Sequence, residues 1–151
     1  MKTKEIINRR ARHDYEIFET HEAGIALRGT EVKSIRQGNA SLNGAFARVE
    51  KDEVWLIGVH IDEYAQGNRF NHDPTRFRKL LFHRHEIRHL FQECSIKDRA
   101  LIPLKMYFND RGIAKVQLGV CKGKSDVDRR EDIKKRDTDR EMRQAMKQRR
   151  R

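Results

Sequence analysis

Apolar and polar positions along this chain change period several times, and each change marks an element. Tyr15 and Ile17 alternate with polar residues, Gly24 punctuates, and Ile25 and Leu27 alternate again, so Tyr15 to Leu27 reads as extended chain. A short helix follows from Gly29 and Thr30, with Thr30 as N-cap, Val32 and Ile35 on its buried face and Gly38 as its stop. Glu31, Lys33, Ser34 and Arg36 are then expected in solvent. Ala45 to Glu50 and Glu53 to Ile61 read as a hairpin, with Trp55, Ile57, Val59 and Ile61 on one face of the second strand. Asp62 to Lys79 keeps no period. Leu80 to about Lys97 is amphipathic, since Ile87, Leu90, Phe91 and Cys94 follow helical spacing. Leu101 to Phe108 and Ile113 to Cys121 form a second hairpin around Asn109, Asp110, Arg111 and Gly112, and Pro103 places an edge or a bulge in its first strand.

Two hairpins, a long first strand and a mid-chain helix make a mainly β domain with flanking helices. Short antiparallel strands must cover their edges, and closure into an OB-like antiparallel barrel does so. The barrel is assigned to residues 1–121. After Phe108 there is no aromatic residue, and the 30 residues from Lys122 to Arg151 carry 13 Lys and Arg against 7 Asp and Glu. That segment, 122–151, lacks the apolar surface to offset its ordering entropy, so it is expected to be disordered when free. It has no Gly or Pro after Gly123, and Glu131 with Lys135, Asp132 with Arg136 and Asp139 with Arg143 are favourably ordered i,i+4 pairs. Bound to a polyanion it is expected to become helical; the plain alternative is a solvated tail that aids solubility.

The net charge of +11 and pI near 10 point to nucleic acid, with an anionic membrane surface as the second choice. No apolar run reaches the length of a membrane span. Cys94 and Cys121 make no metal-spaced pair and fit a reduced, cytoplasmic setting. The irregular stretch from Asp62 to Lys79 interleaves Arg69, His72, Arg76, Arg78 and Lys79 with Tyr64, Phe70 and Phe77, residue types suited to phosphate contact and base stacking. Alternatively, its aromatics only pin the loop to the barrel. His85-Glu86-Ile87-Arg88-His89 matches the zinc-protease pattern H-E-x-x-H. Both histidines lie nearly opposite the apolar face, however, so they are expected in solvent and not in a cleft. With no phosphate-binding glycine loop and no activated nucleophile, the reading names no catalytic residue, no metal and no cofactor.

Several segments, taken in order, resemble the SsrA-binding protein (SmpB) family. They are Asn8 to Tyr15, Glu22 to Ile25, Gly29 to Ser34, Gly67 to Pro74, Arg78 to Leu81 and Lys122 to Lys124, which together span nearly the whole chain. The chain departs from the family's usual residues at His21, Cys121 and Val127. The resemblance implies an OB-like barrel that grips the transfer-RNA-like part of transfer-messenger RNA. It also implies a tail that occupies the decoding centre of the small ribosomal subunit, beside 16S ribosomal RNA, in place of a codon–anticodon pair. Elongation factor Tu with GTP is implied as an indirect partner through the aminoacylated RNA.

By the same resemblance, Glu31 is expected to accept hydrogen bonds from RNA, and Lys33, Arg36, Arg69, His72 and Lys124 to hold phosphates. The wider RNA-binding set is completed by Asn8, Arg9, Arg10, Arg12, His13, Gln37, Asn68, Arg76, Arg78, Lys79 and Lys122. The tail's ribosome-facing set is Asp128, Arg129, Arg130, Lys134, Lys135, Arg136, Arg140, Arg143 and Lys147. Two other functions compete: a general RNA-binding OB protein such as a ribosomal component, and a zinc hydrolase using His85, Glu86 and His89.

Overall fold

The computed structural model describes residues 4–67, 71–124 and 126–149, and in the last of these segments the side chains of residues 134 and 136–147. In chain order its elements are β1 (Ile6–Ile7), α1 (Ala11–Asp14), β2 (Tyr15–Ile25), α2 (Gly29–Arg36), β3 (Ala40–Ser41), β4 (Phe46–Glu50), β5 (Glu53–Ile57) and β6 (His60–Ile61). They continue with β7 (Arg78–Leu81), α3 (Arg84–Ser95), β8 (Ala100–Phe108), β9 (Ala114–Gly123) and α4 (Asp126–Arg149). The strands β8-β4-β5-β7-β2-β9 are hydrogen-bonded neighbours in that order, and β9 pairs back onto β8. That last pairing closes the sheet into the expected antiparallel barrel, which hides the edges an open sheet would expose.

The long ribbon of the barrel is β2, β9 and β8. β2 pairs with β9 from Tyr15↔Gly123 to Gly24↔Lys115, and β8 pairs with β9 from Ala100↔Cys121 to Phe108↔Ala114. Ala114, Val116, Leu118 and Val120 are buried as their alternation requires. The register of β8 shifts between Pro103 and Lys105, so the proline sits beside a bulge. β9 runs to Gly123, past the Cys121–Lys122 boundary between barrel and tail.

Several boundaries and faces differ from the sequence pattern. In β5 the core takes Val54 and Leu56, and Trp55 and Ile57 lie on the other face. Gly58 then adopts φ +83, which ends β5 and flips the parity, so Val59 and Ile61 turn inward again. Leu80 and Leu81 belong to β7, not to the following helix, because Leu80 pairs with Val54 and with Ile25. α3 starts at Arg84 and buries Ile87, Leu90 and Glu93, leaving Phe91 55% exposed. The N-cap of α2 is Arg28 instead of Thr30; Glu31 accepts the Arg28 N–H at 2.9 Å. Gly38 closes α2 at φ +80, donating to Ile35 O at 2.9 Å, as a C-terminal glycine does. In the chain by itself, residues 126–149 of the tail form one helix, α4.

Candidate nucleic-acid interface

The centre of the expected RNA site lies inside the protein. Positions 31, 34 and 35 share one face of α2, and Glu31, Ser34 and Ile35 are all buried there. The Glu31 side chain has no exposed area, nor has that of Arg78, whose Nε donates to Glu31 Oε2 at 2.6 Å. Arg76 completes the group: its Nε donates to Glu31 Oε1 at 3.0 Å, and its Nη2 donates to the same oxygen. Burial alone pushes the Glu31 carboxyl up, but bonds from Arg76, the Arg28 N–H and Arg78 outweigh it and hold its pKa below the ordinary value. Arg78 spends its remaining donors on backbone oxygens, on Val59 O at 2.7 Å and Pro74 O at 3.1 Å.

Four expected RNA contacts are therefore interior. Glu31 and Arg78 form a buried ion pair, because a helix face and a strand meet there. His72 is buried between the Thr30 hydroxyl, 2.8 Å from Nδ1, and Ile61 O, to which its Nε2 donates at 2.9 Å. Asn8 is buried too, and its Nδ2 donates to Pro103 O at 3.0 Å. Ser34, expected in solvent, donates its hydroxyl to Asp62 O at 2.6 Å. Asn71 ties the loop after β6 across its base: its Nδ2 donates to Tyr64 O at 2.8 Å, and its Oδ1 accepts Tyr64 N–H at 3.2 Å. Asn68, Arg69 and Phe70 lie outside the described residues.

Around this scaffold, α2 turns Lys33, Arg36 and Gln37 to solvent. The Lys33 ammonium lies 5.4 Å from the Tyr64 ring centre, and the Arg36 guanidinium 5.4 Å from that of Phe108. Phe77 is exposed beside the partly exposed Arg76. Cations and ring faces therefore stand together, as phosphate contact with stacking requires. Lys79 is half-exposed and pairs with Glu53 at 3.2 Å.

A second basic surface lies at the opposite end of the β2–β9 ribbon. Arg9, Arg10, Arg12 and Lys122 are exposed, and His13 lies 2.9 Å from Asp14. Lys124 N donates to Asp14 O at 2.9 Å and its Nζ to Arg12 O at 2.9 Å, which fixes the root of α4 against α1. Arg136 on α4 also reaches Arg12 O, at 3.4 Å. Lys134, Arg136, Arg140, Arg143 and Lys147 are exposed on α4, while the side chains of Asp128, Arg129, Arg130 and Lys135 lie outside those described. From Lys115, next to the α2 end, to Gly123, at the root of α4, β9 rises roughly 26 Å at about 3.3 Å per residue.

The H-E-x-x-H residues do not assemble. Glu86 accepts from the His83 N–H at 3.4 Å, an N-terminal capping contact. His85 is exposed and its ring stacks on that of His83, while His89 points away toward Glu19. The thiols are quiet as well. Burial and then Glu93 push Cys94 up, and burial pushes Cys121 up to about 11. What sequence reading missed is the pairing of Glu31 with residues 45 and 47 positions downstream. The shared face of Glu31, Ser34 and Ile35 was its only local signal.

Comparison with known proteins adds a family to this geometry. The family model described as "SmpB protein" matches residues 5–148. The SsrA-binding protein of Desulforamulus reducens is 57% identical over 142 residues, covering 94% of this chain and 88% of its own length. That of Moorella thermoacetica is 57% identical over 142 residues, covering 94% and 92%. A solved chain described as "tmRNA-SmpB: a journey to the center of the bacterial ribosome" is 54% identical, with TM-score 0.69 over 81% of this chain and 85% of that one.

Proposed function

We propose a function from one premise: the chain belongs to the SmpB protein family. It binds transfer-messenger RNA and acts in trans-translation, the rescue of ribosomes stalled on broken messages, as a cytoplasmic RNA-binding protein and not as an enzyme. The observation that carries this reading is the presence of exposed cations at both ends of the β2–β9 ribbon, in a chain so similar to SsrA-binding proteins. Lys33, Arg36, Gln37 and Arg76, with Asn68 and Arg69 of the loop, grip the transfer-RNA-like domain by its shape and phosphates. Glu31, Arg78 and His72 hold that surface in place from beneath. Arg9, Arg10, Arg12, His13, Lys122 and Lys124 extend the basic surface to the tail, and α4 enters the decoding centre beside 16S ribosomal RNA, where codon and anticodon otherwise pair. Elongation factor Tu with GTP joins through the aminoacylated RNA.

The test is a titration of the full chain with transfer-messenger RNA and with an ordinary transfer RNA at several salt concentrations. With about 4–6 phosphates neutralised, affinity should fall about 10²–10³-fold between 50 and 200 mM salt. Lys33→Ala with Arg36→Ala should weaken binding by about 1.5–3 kcal/mol at an unchanged melting temperature. A flat salt response sinks the phosphate contacts. Equal affinity for the ordinary transfer RNA would replace this reading with a general RNA-binding barrel.

A further inference from the structure

The residues that the zinc-protease pattern brings together in sequence stay apart, yet one of them joins a different set. Strand alternation puts Glu19 and His21 on the row of β2 that ends in the buried Ala23 and Ile25. The register shift between Ile17 and Glu19 re-aims this part of the strand, and α3 lays His89 over it. His21 Nε2 stands 3.0 Å and His89 Nε2 2.7 Å from the same oxygen, Glu19 Oε2, and the two rings meet edge to face with centres 5.8 Å apart. All three side chains are partly covered. The structure thus converges two imidazole nitrogens and a carboxylate oxygen, from residues 70 positions apart, on one point.

We propose that Glu19, His21 and His89 bind one zinc-class divalent cation. Their donor atoms all lie within 4.8 Å of one another. A tetrahedral ion with bonds of about 2.0–2.1 Å keeps its ligand atoms roughly 3.3 Å apart, so movements of under about 1 Å admit it. Two neutral imidazoles with one carboxylate select zinc, cobalt or nickel over magnesium and calcium, which prefer all-oxygen shells. Metal at Nε2 leaves each ring's proton on Nδ1 and takes the place of the two N–H···O bonds that now converge on Glu19. Three protein ligands leave a fourth position for water. The ion would clip α3 to β2, so its binding should also raise the melting temperature.

The full chain is dialysed against zinc chloride at pH 7.5, and the wild type should retain one equivalent. His21→Gln and His89→Gln should each lower zinc affinity by about tenfold or more, whereas His85→Gln should not change it. In the wild type, cobalt should shift the ring resonances of His21 and His89 and leave those of the other five histidines nearly unmoved. This second readout does not depend on how the variants fold. No retained zinc, equal loss in His85→Gln, or cobalt shifts centred on other histidines would overturn the site and leave the three residues as an ion-paired cluster.

Discussion

Glu31 is the residue on which the α2 end of the barrel depends. A carboxylate with no exposed area is tolerable only while Arg76, Arg78 and the Arg28 N–H surround it. Glu31→Ala leaves the buried Arg78 uncompensated and should cost about 3–5 kcal/mol of stability. Loss of RNA binding in that variant should therefore come with a lower melting temperature, not with an intact fold; an unchanged melt would contradict the burial. The pH dependence follows from the lowered carboxyl. Glu31 has a folded pKa below its unfolded value of about 4.3, so its contribution is complete above that value and is lost as pH falls through the folded pKa. Acid melts of wild type and Glu31→Gln should converge in that range. The sequence displays Glu31 among charged neighbours and so reads as surface. Nothing local in it announces the two arginines that arrive on β7 and the loop before it.

At the scale of elements, periodicity located most strands and failed where one residue changes the phase. Ala114 to Val120 and the Pro103 bulge were legible because the alternation there is unbroken and proline lacks an N–H. β5 was read on the wrong face because the pattern was carried through Gly58, whose left-handed backbone reverses inside and outside. The sequence pattern splits β7 between the irregular stretch and the next helix, because four residues are too few to show a period against an amphipathic neighbour. The β4–β5 turn offers a test of element-level strain. Lys51 and Asp52 both adopt positive φ, 49° and 61°, the geometry that Asn and Gly serve best. Lys51→Asn with Asp52→Gly should stabilise the barrel by about 1 kcal/mol, or about 4 °C in thermal melts. A lower melting temperature would mean that the two side chains contribute more than their backbone strain costs.

At the scale of the molecule, the barrel is a spacer with a basic surface at each end of its longest ribbon. The α2 end is tied by buried ion pairs and loop clamps, whereas α4 is held at the other end by Lys124 at its root and by Arg136 partway along it, both on the backbone oxygen of Arg12. No helix among the described residues is long and apolar enough to cross a membrane. The sequence exposed the tail through its charge and its lack of aromatics, but it left the separation of the two ends unread, because that follows from strand register. The measurement that bears most directly on this two-ended account is a paired assay of a chain ending at Val127. Among the described residues, removing Asp128–Arg151 takes away none of the buried core. Binding to transfer-messenger RNA should survive within about tenfold, with the barrel's melting temperature unchanged, while tagging of stalled nascent chains should be abolished. Tagging at the normal rate by the truncated chain would contradict the account and reduce the tail to a solubility device.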